Sequence, residues 1–196
     1  MENPVLNKNL FLVKEHVGLF KAANNYDIYD PSTGEIILEC REPNLGFFTK
    51  MFRFSDYKRM TPFDIQISTP EGQTLIKIQR GVSLFLSKVV VKDEADKLIG
   101  SFEQKLFSIG GAFEVLGSRH ESLCKLEGKW TGWEFYFKND GKDLAHVSKK
   151  WNGLGKELFT TADNYMLEIF EHVPENDEVR KLILAAVMCI DMVLKE

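Results

Sequence analysis

Cysteine is scarce in this chain: Cys40, Cys124 and Cys189 are three among 196 residues, odd in number and widely spaced. That excludes a disulfide framework and fits a reducing, cytoplasmic setting. Catalytic constellations are missing too. No Ser/His/Asp or Cys/His arrangement stands out, no glycine-rich phosphate loop follows a strand, and no paired acids sit on a recognisable scaffold. His16, His120, His146 and His172 lie far apart and share no ligand spacing with a cysteine, so no metal and no cofactor is expected. Covalent catalysis is therefore not expected. The opening MENPVLNKNLFLV carries Glu2 and no long apolar segment after a basic start, which is not the pattern of a signal peptide. A net charge of −4 gives no general attraction to nucleic acid, and none is expected as a partner. Linkers and low-complexity tracts are also lacking, so residues 1–196 read as one domain with a substantial core.

What the chain does have is a run with almost nothing polar in it. Between Leu182 and Leu194 the one polar side chain is Asp191. A helix apolar on all sides must be enclosed by protein or by lipid. The run is 13 residues, about 20 Å of helix, whereas a hydrocarbon core is ~30 Å thick and takes about 20 residues to cross. Pro174, Glu175, Asn176, Asp177 and Glu178 form a capped, acidic helix start, so the helix is expected to leave water and enter a protein core. Asp191 is expected to take hydrogen bonds from a lysine or from backbone amides where the helix emerges.

The preceding sequence reads as strands. Four segments repeat one layout, in which an apolar alternation, a turn rich in Asp, Pro or Gly, and a second run follow each other. They are YDIYD-PSTG-EIILEC, FDIQIS-TPEG-QTLIKIQ, VVVK-DEAD-KLIGSFEQ and FYFK-NDG-KDLAHVS. Further strands are expected at NLFLV, GAFEVLG, SLCKLEG and NYMLEIF, making roughly a dozen. Strands with one dry face need something apolar to close around, and the apolar helix needs something to surround it. A closed antiparallel barrel with the helix down its centre satisfies both and leaves no exposed strand edge.

The carboxy-terminal residues then carry a likeness. Lys150, Trp151 and Gly153, then Phe159, Thr160, Ala162, Asp163 and Asn164, then Ile190, Asp191 and Glu196 match elements typical of the phospholipid scramblase family, which this chain resembles. Weaker likeness extends forward through LIGSFEQK, KIQRG, FDIQIS and YDIYDPSTGE. That family is grouped with the tubby-like and LURP-one-related proteins, so the resemblance implies a mainly β, twelve-stranded barrel around a central hydrophobic helix.

Two departures bear on mechanism. Members proposed to bind calcium carry an EF-loop-like stretch at this aspartate-rich element. Counting from Thr161, the ligand positions hold Thr161, Asp163, Tyr165 and His172, with Met166 where an EF loop has its glycine. Asp163 alone is a good ligand, and the alternation of Tyr165, Leu167 and Ile169 describes a strand instead. Animal scramblases also carry a cysteine cluster for palmitoylation after the arginine that Arg80 resembles, whereas here GVSLFLSKVVV contains none. The proline-rich amino-terminal extension is lacking as well. With neither a spanning helix nor acylation sites, the two usual anchoring signals are missing, and lipid translocation by this chain alone is not expected.

Charge is uneven along the chain. Arg41 to Arg59 holds five basic residues against two acids, and Asp163 to Glu178 holds six acids with no lysine or arginine. Lys50, Arg53, Lys58 and Arg59, interleaved with Phe47, Phe48, Met51, Phe52 and Phe54, form the candidate contact for anionic phospholipid headgroups. A half-buried strand with its phenylalanines inward gives the same pattern. Lys77 and Arg80 carry the same two readings. Trp130, in GKWTGW, is the candidate interfacial tryptophan, while Trp133 and Trp151 are expected to pack in the core or at its rim. The expected function is a scramblase-related binding module at a membrane surface, cytoplasmic or peripheral. The alternative is a protein-interaction or regulatory domain with a protein partner and no lipid role.

Overall fold

Alternation at period two decides which face of a strand is dry, and in this chain one phase is kept from strand to strand. In the computed structural model, which describes residues 3–16, 25–43, 61–81, 88–104, 113–129, 133–150 and 164–194, twelve antiparallel strands close into a barrel. They are β1 (Leu10–Glu15), β2 (Tyr26–Tyr29), β3 (Ile36–Arg41), β4 (Phe63–Ser68), β5 (Thr74–Arg80), β6 (Lys88–Asp93), β7 (Leu98–Gln104), β8 (Phe113–Gly117), β9 (Ser122–Lys129), β10 (Glu134–Asn139), β11 (Lys142–Ser148) and β12 (Asn164–Ile169). Each pairs with its neighbours in sequence, and β12 closes the ring on β1 from Leu10 opposite Glu168 to Lys14 opposite Asn164. The expected hairpins and single strands are all present. Inward rows are apolar across the ladders, as where Ile65 faces Ile78 and Ile67 faces Ile76. Outward positions such as Asp64, Gln66, Lys77, Gln79, Lys92 and Lys125 are polar and at least partly exposed.

Turn chemistry fixes the register. At Thr69–Gln73, Asp93–Lys97 and Gly117–Glu121 the first residue's N–H donates to the last carbonyl at 2.9 Å, and the fourth N–H returns to the first carbonyl. The fourth residue is left-handed in each, with φ of 91° at Gly72, 63° at Asp96 and 63° at His120. These are three-residue hairpin loops closed by a residue in the left-handed region. The β2–β3 turn is held by Asp30, whose carboxylate accepts from the backbone and hydroxyl of Ser32 and from Lys8 Nζ at 2.7 Å. Burial pushes that carboxyl up, but these donors win and hold it at about 2.

The helix α1 (Glu178–Leu194) begins where Asp177 Oδ1 accepts the N–H of Val179 at 2.9 Å, a side-chain cap on the acidic start seen in the sequence. Every residue from Val179 to Ile190 is buried. The side chain of Asp191, and with it the role expected for it, lies outside the described residues. The wall comes close to the rod at Gly100 on β7. A Cβ there would sit 2.8 Å from a Leu182 methyl and 2.3 Å from the Leu116 carbonyl oxygen, so only glycine fits.

Burial extends three residues before the apolar run, to Val179, and takes in Arg180 at 3% exposure and Lys181 at 9%. A 3-10 turn at Pro4–Asn7 folds under the helix start and supplies acceptors. The Arg180 guanidinium donates to the carbonyls of Leu6, Val173, Asn7 and Lys8 and to Asn9 Oδ1, at 2.7–3.1 Å. Burial lowers its pKa, opposed by Glu175 and Asp177. The planar fork of arginine reaches acceptors on both sides, which a lysine ammonium cannot do.

Replacing Arg180 with Met strands those acceptors, and a loss of about 3 kcal/mol or more is expected in denaturant unfolding, with Arg180→Lys in between. The thiols of Cys40, Cys124 and Cys189 are free and buried, so their labelling rates should rise with the same variants. An unchanged midpoint and unchanged labelling would contradict the role. A second expectation concerns acid. Because the folded Asp30 carboxyl titrates at about 2, below its ordinary 3.8, its contribution is complete above that ordinary value and is lost as pH falls toward 2. The stability gap between wild type and Asp30→Asn should therefore be constant above about pH 5 and shrink between pH 4 and 2.

Candidate functional site

An up-and-down barrel sorts its connections by parity. Strands β1, β3, β5, β7, β9 and β11 all end at one rim, and the even strands start there. The opposite end carries the tight turns and the start of α1, held by Arg180, so α1 runs toward the rim. A small cavity with wholly apolar lining lies near the rim between Ala186, Cys189 and Ile190 of the helix and Val89, Phe102, Phe113, Val115 and Leu126 of the wall. The turn-bearing end is acidic, through residues such as Asp30, Glu71, Asp96, Glu171, Glu175 and Asp177. In the connections that join strands at the rim, basic residues outnumber acids.

Lys50, Arg53, Lys58, Arg59 and Trp130 lie outside the described residues, but the strand ends flanking them do not. Arg41 ends β3 and Phe63 starts β4, on either side of the basic aromatic segment. Lys129 and Glu134 bracket Trp130 in the same way at the same rim.

The structure separates Lys77 from Arg80. Along β5, Ile76, Ile78 and Arg80 point inward while Lys77 and Gln79 point outward. Arg80 is 4% exposed, donates from Nη2 to the Thr61 carbonyl at 2.6 Å and lies 4.6 Å from the Phe63 ring centroid. It braces the start of β4, directly after the basic segment. Its charge also reaches Cys189, whose thiol burial pushes up to about 12 and Arg80 draws partly back. Lys77 pairs with Asp96 Oδ2 at 2.9 Å, in a turn of the acidic end. That hydrogen bond lowers the Asp96 carboxyl.

Sequence reasoning missed two clusters. On the outer wall near the rim, Asp27 accepts from Arg41 Nη2 at 2.5 Å and pairs with His16 Nε2 at 2.7 Å. Burial pushes the Asp27 carboxyl up, and Arg41 and His16 more than offset it, leaving it lowered. Arg41, first of the basic stretch, is thus engaged within the barrel wall. The second cluster lies at the rim itself. The Trp133 ring stacks on Tyr165 with centroids 6.0 Å apart and planes 8° from parallel, and meets Phe135 edge-on at 6.2 Å. Lys149 Nζ sits 3.7 Å from the Trp133 centroid and 5.4 Å from that of Tyr165. Trp133 packs partly buried against the core, as expected, but with φ of 50°, a backbone region bulky residues avoid.

Thr161 and Asp163 of the calcium-loop comparison lie outside the described residues. Tyr165 and Met166 belong to β12, extended where an EF loop must turn sharply. His172 stacks on Phe170, His146 stacks on Tyr136, and His16 faces Asp27, three separate places. Among the described residues no group of three or more His, Cys, Asp or Glu side chains converges to hold a metal. No described helix is long and apolar enough to cross a membrane.

Comparison with known proteins agrees with this geometry. A phospholipid scramblase family protein of Schizosaccharomyces pombe is 22% identical over 195 residues, covering 91% of this chain and 50% of its own length. The chain thus spans about half of that curated relative. An X-ray structure of an Arabidopsis thaliana protein superposes with a TM-score of 0.52 at 12% identity, covering 93% of this chain and 90% of the other. That likeness establishes the tubby-like barrel fold. The family model described as Scramblase matches residues 8–196, and the chain belongs to that family.

Proposed function

We propose that this barrel is a binding module whose rim contacts anionic phospholipid headgroups, using Lys50, Arg53, Lys58 and Arg59 of the β3–β4 connection, with Trp130 in a second connection at the same rim, across the ring. The observation that carries the reading is the parity of the strand connections. It brings the two ends of the basic aromatic segment to the rim that also brackets Trp130, while the acidic turns gather at the far end. A molecule polarised in this way is oriented by a negative surface before it touches it. Each rim cation near such a surface contributes about 1 kcal/mol, and the interleaved phenylalanines and Trp130 suit the headgroup level.

The wall supports surface contact over insertion. Its outward positions include Asp64, Gln66, Lys77, Gln79, Lys92, Glu114 and Lys125 among fewer apolar ones such as Val90, where a lipid-facing strand band would be apolar throughout. Among the described residues, Leu182 to Ile190 occupy the interior, the space that a lumen would take. Binding, not bond-making, is the role this arrangement serves. Membership of the Scramblase family makes a lipid the fitting ligand class.

Co-sedimentation with vesicles of phosphatidylserine and phosphatidylcholine, across salt, is the test. Binding should be clear at low ionic strength and fade toward 1 M salt, where the screening length falls to about 3 Å. Reversing Arg53 and Lys58 to Glu together should weaken it at least tenfold. Lys77→Glu, at the other end and already paired with Asp96, should change it less than twofold. Failure to bind anionic vesicles, or binding indifferent to the double reversal, would overturn the reading. A stable protein partner combined with indifference to vesicles would establish the interaction-domain alternative.

A further inference from the structure

A groove runs along the outer wall at the turn-bearing end, where β1 and β11 begin and β12 ends. Its volume is about 690 Å³, within the ~300–1,000 Å³ of pockets that hold small ligands. Backbone fixes its frame. The Ile169 N–H donates to the Asn9 carbonyl at 2.8 Å, and the Phe170 N–H donates to the Leu144 carbonyl at 3.0 Å. The Asn9 side chain is held in turn, its Oδ1 accepting from Arg180 Nη2 at 2.8 Å. Charge in the groove is one-sided. Asp143, Glu168 and Glu171 line it, and no lysine or arginine does. Lys138 lies 3.5 Å from Asp143, but with side chains 40% and 43% exposed that pair offsets little. Among the described residues, no hydrogen bond or ion pair engages the carboxylates of Glu168 and Glu171. His146, opposite Glu168 in the ladder, has its Nε2 3.4 Å from Glu134 Oε1 instead. Like charges gathered in a concave surface repel one another and focus their field on what enters it.

A bare metal ion does not suit this groove, because among the described residues no three His, Cys, Asp or Glu side chains converge to hold one. The cation that fits is spread over several atoms. His172 stacks on Phe170 with centroids 6.1 Å apart and planes 13° from parallel, a flat aromatic pair in the same lining as the carboxylates. A guanidinium stacks on such a pair and forks its N–H donors to carboxylates, whereas a lysine ammonium offers neither the plane nor the fork. Leu10 and Phe170, both half-buried, add apolar lining that suits an aliphatic neighbour of the arginine. We infer that the groove docks an arginine-bearing segment of a partner protein. Asp143, Glu168 and Glu171 are the acceptors, and the Phe170–His172 pair is the stacking face. The occupant meets the end of the barrel opposite the basic connections and displaces no contact of the frame, so the inference does not rest on the lipid reading.

The test is a titration of the full chain, by NMR and calorimetry, with short peptides in which leucine alternates with arginine, with lysine or with glutamate. The arginine peptide should bind and shift the amides of Glu168, Phe170 and His172, and the lysine peptide should bind roughly fivefold more weakly. The glutamate peptide should not bind. Glu168→Gln combined with Glu171→Gln should weaken arginine-peptide binding roughly tenfold at an unchanged unfolding midpoint, since neither carboxylate holds a partner in the fold. Asp96→Asn, in another turn of the same acidic end, should change it less than about twofold, which separates the groove from the general field. The double variant should leave anionic-vesicle binding within about twofold, so this inference and the rim reading fail separately. No binding of the arginine peptide, equal binding of the lysine peptide, or indifference to the double variant would overturn the proposal. Calcium ions that bind the same carboxylates and displace the peptide would overturn it in favour of a metal site.

Discussion

The constraint on which the rest of the structure depends is the mutual burial of a rod and a sheet. A helix with no polar face cannot be left in water, and a twelve-stranded barrel is too wide to fill with its own wall side chains. A helix is about 10–12 Å across with its side chains, so α1 takes the space that would otherwise be a lumen. Neither partner has an independent solution. Val179 to Ile190 give up their water contacts only because the ring closes, and the inward rows of Ile, Val and Phe stay dry only because the rod is inside. Gly100 shows how closely the two surfaces meet, since any side chain there would collide with Leu182 and with the neighbouring strand. Arg180 completes the arrangement at the far end, turning a stub of chain at Pro4–Asn7 into a floor.

This architecture separates two ends by chemistry as well as by shape. Tight hairpins need Asp, Asn, Gly and polar side chains, and they accumulate at the end where α1 begins. The other end receives the longer connections, among them the basic aromatic segment between β3 and β4. The contact surface proposed at the rim rests on this topology and on no individual contact. The family model and the solved-structure likeness establish the Scramblase family and the tubby-like barrel, and the lipid reading of the rim is the proposal built on them.

Much of the fold was legible because its signals are local. Alternation in Phe63–Ser68 and Thr74–Arg80, with a turn between them, identifies a hairpin without reference to the rest of the chain. The helix was legible from its length and its capped start. Two buried charges at its first turn were not, because no local pattern marks Arg180 and Lys181 as buried, and the acceptors of Arg180 come from the amino-terminal turn. The inward direction of Arg80 could have been read by extending the phase of Ile76 and Ile78, although an arginine in that phase argues against the extension. Its reason is the Thr61 carbonyl, which only the register of β4 against β5 supplies. Arg41 with Asp27, and Lys149 with Trp133 and Tyr165, are meetings across strands whose alignment no local pattern encodes.

Amide hydrogen exchange across α1 tests the enclosed rod most directly. The amides of Leu182 to Ile190 should be among the slowest in the protein, exchange only through global unfolding, and keep their protection when anionic vesicles are added. Fast exchange of these amides in free protein, or loss of their protection on contact with vesicles, would mean that the rod leaves its sheath, and the account would be wrong.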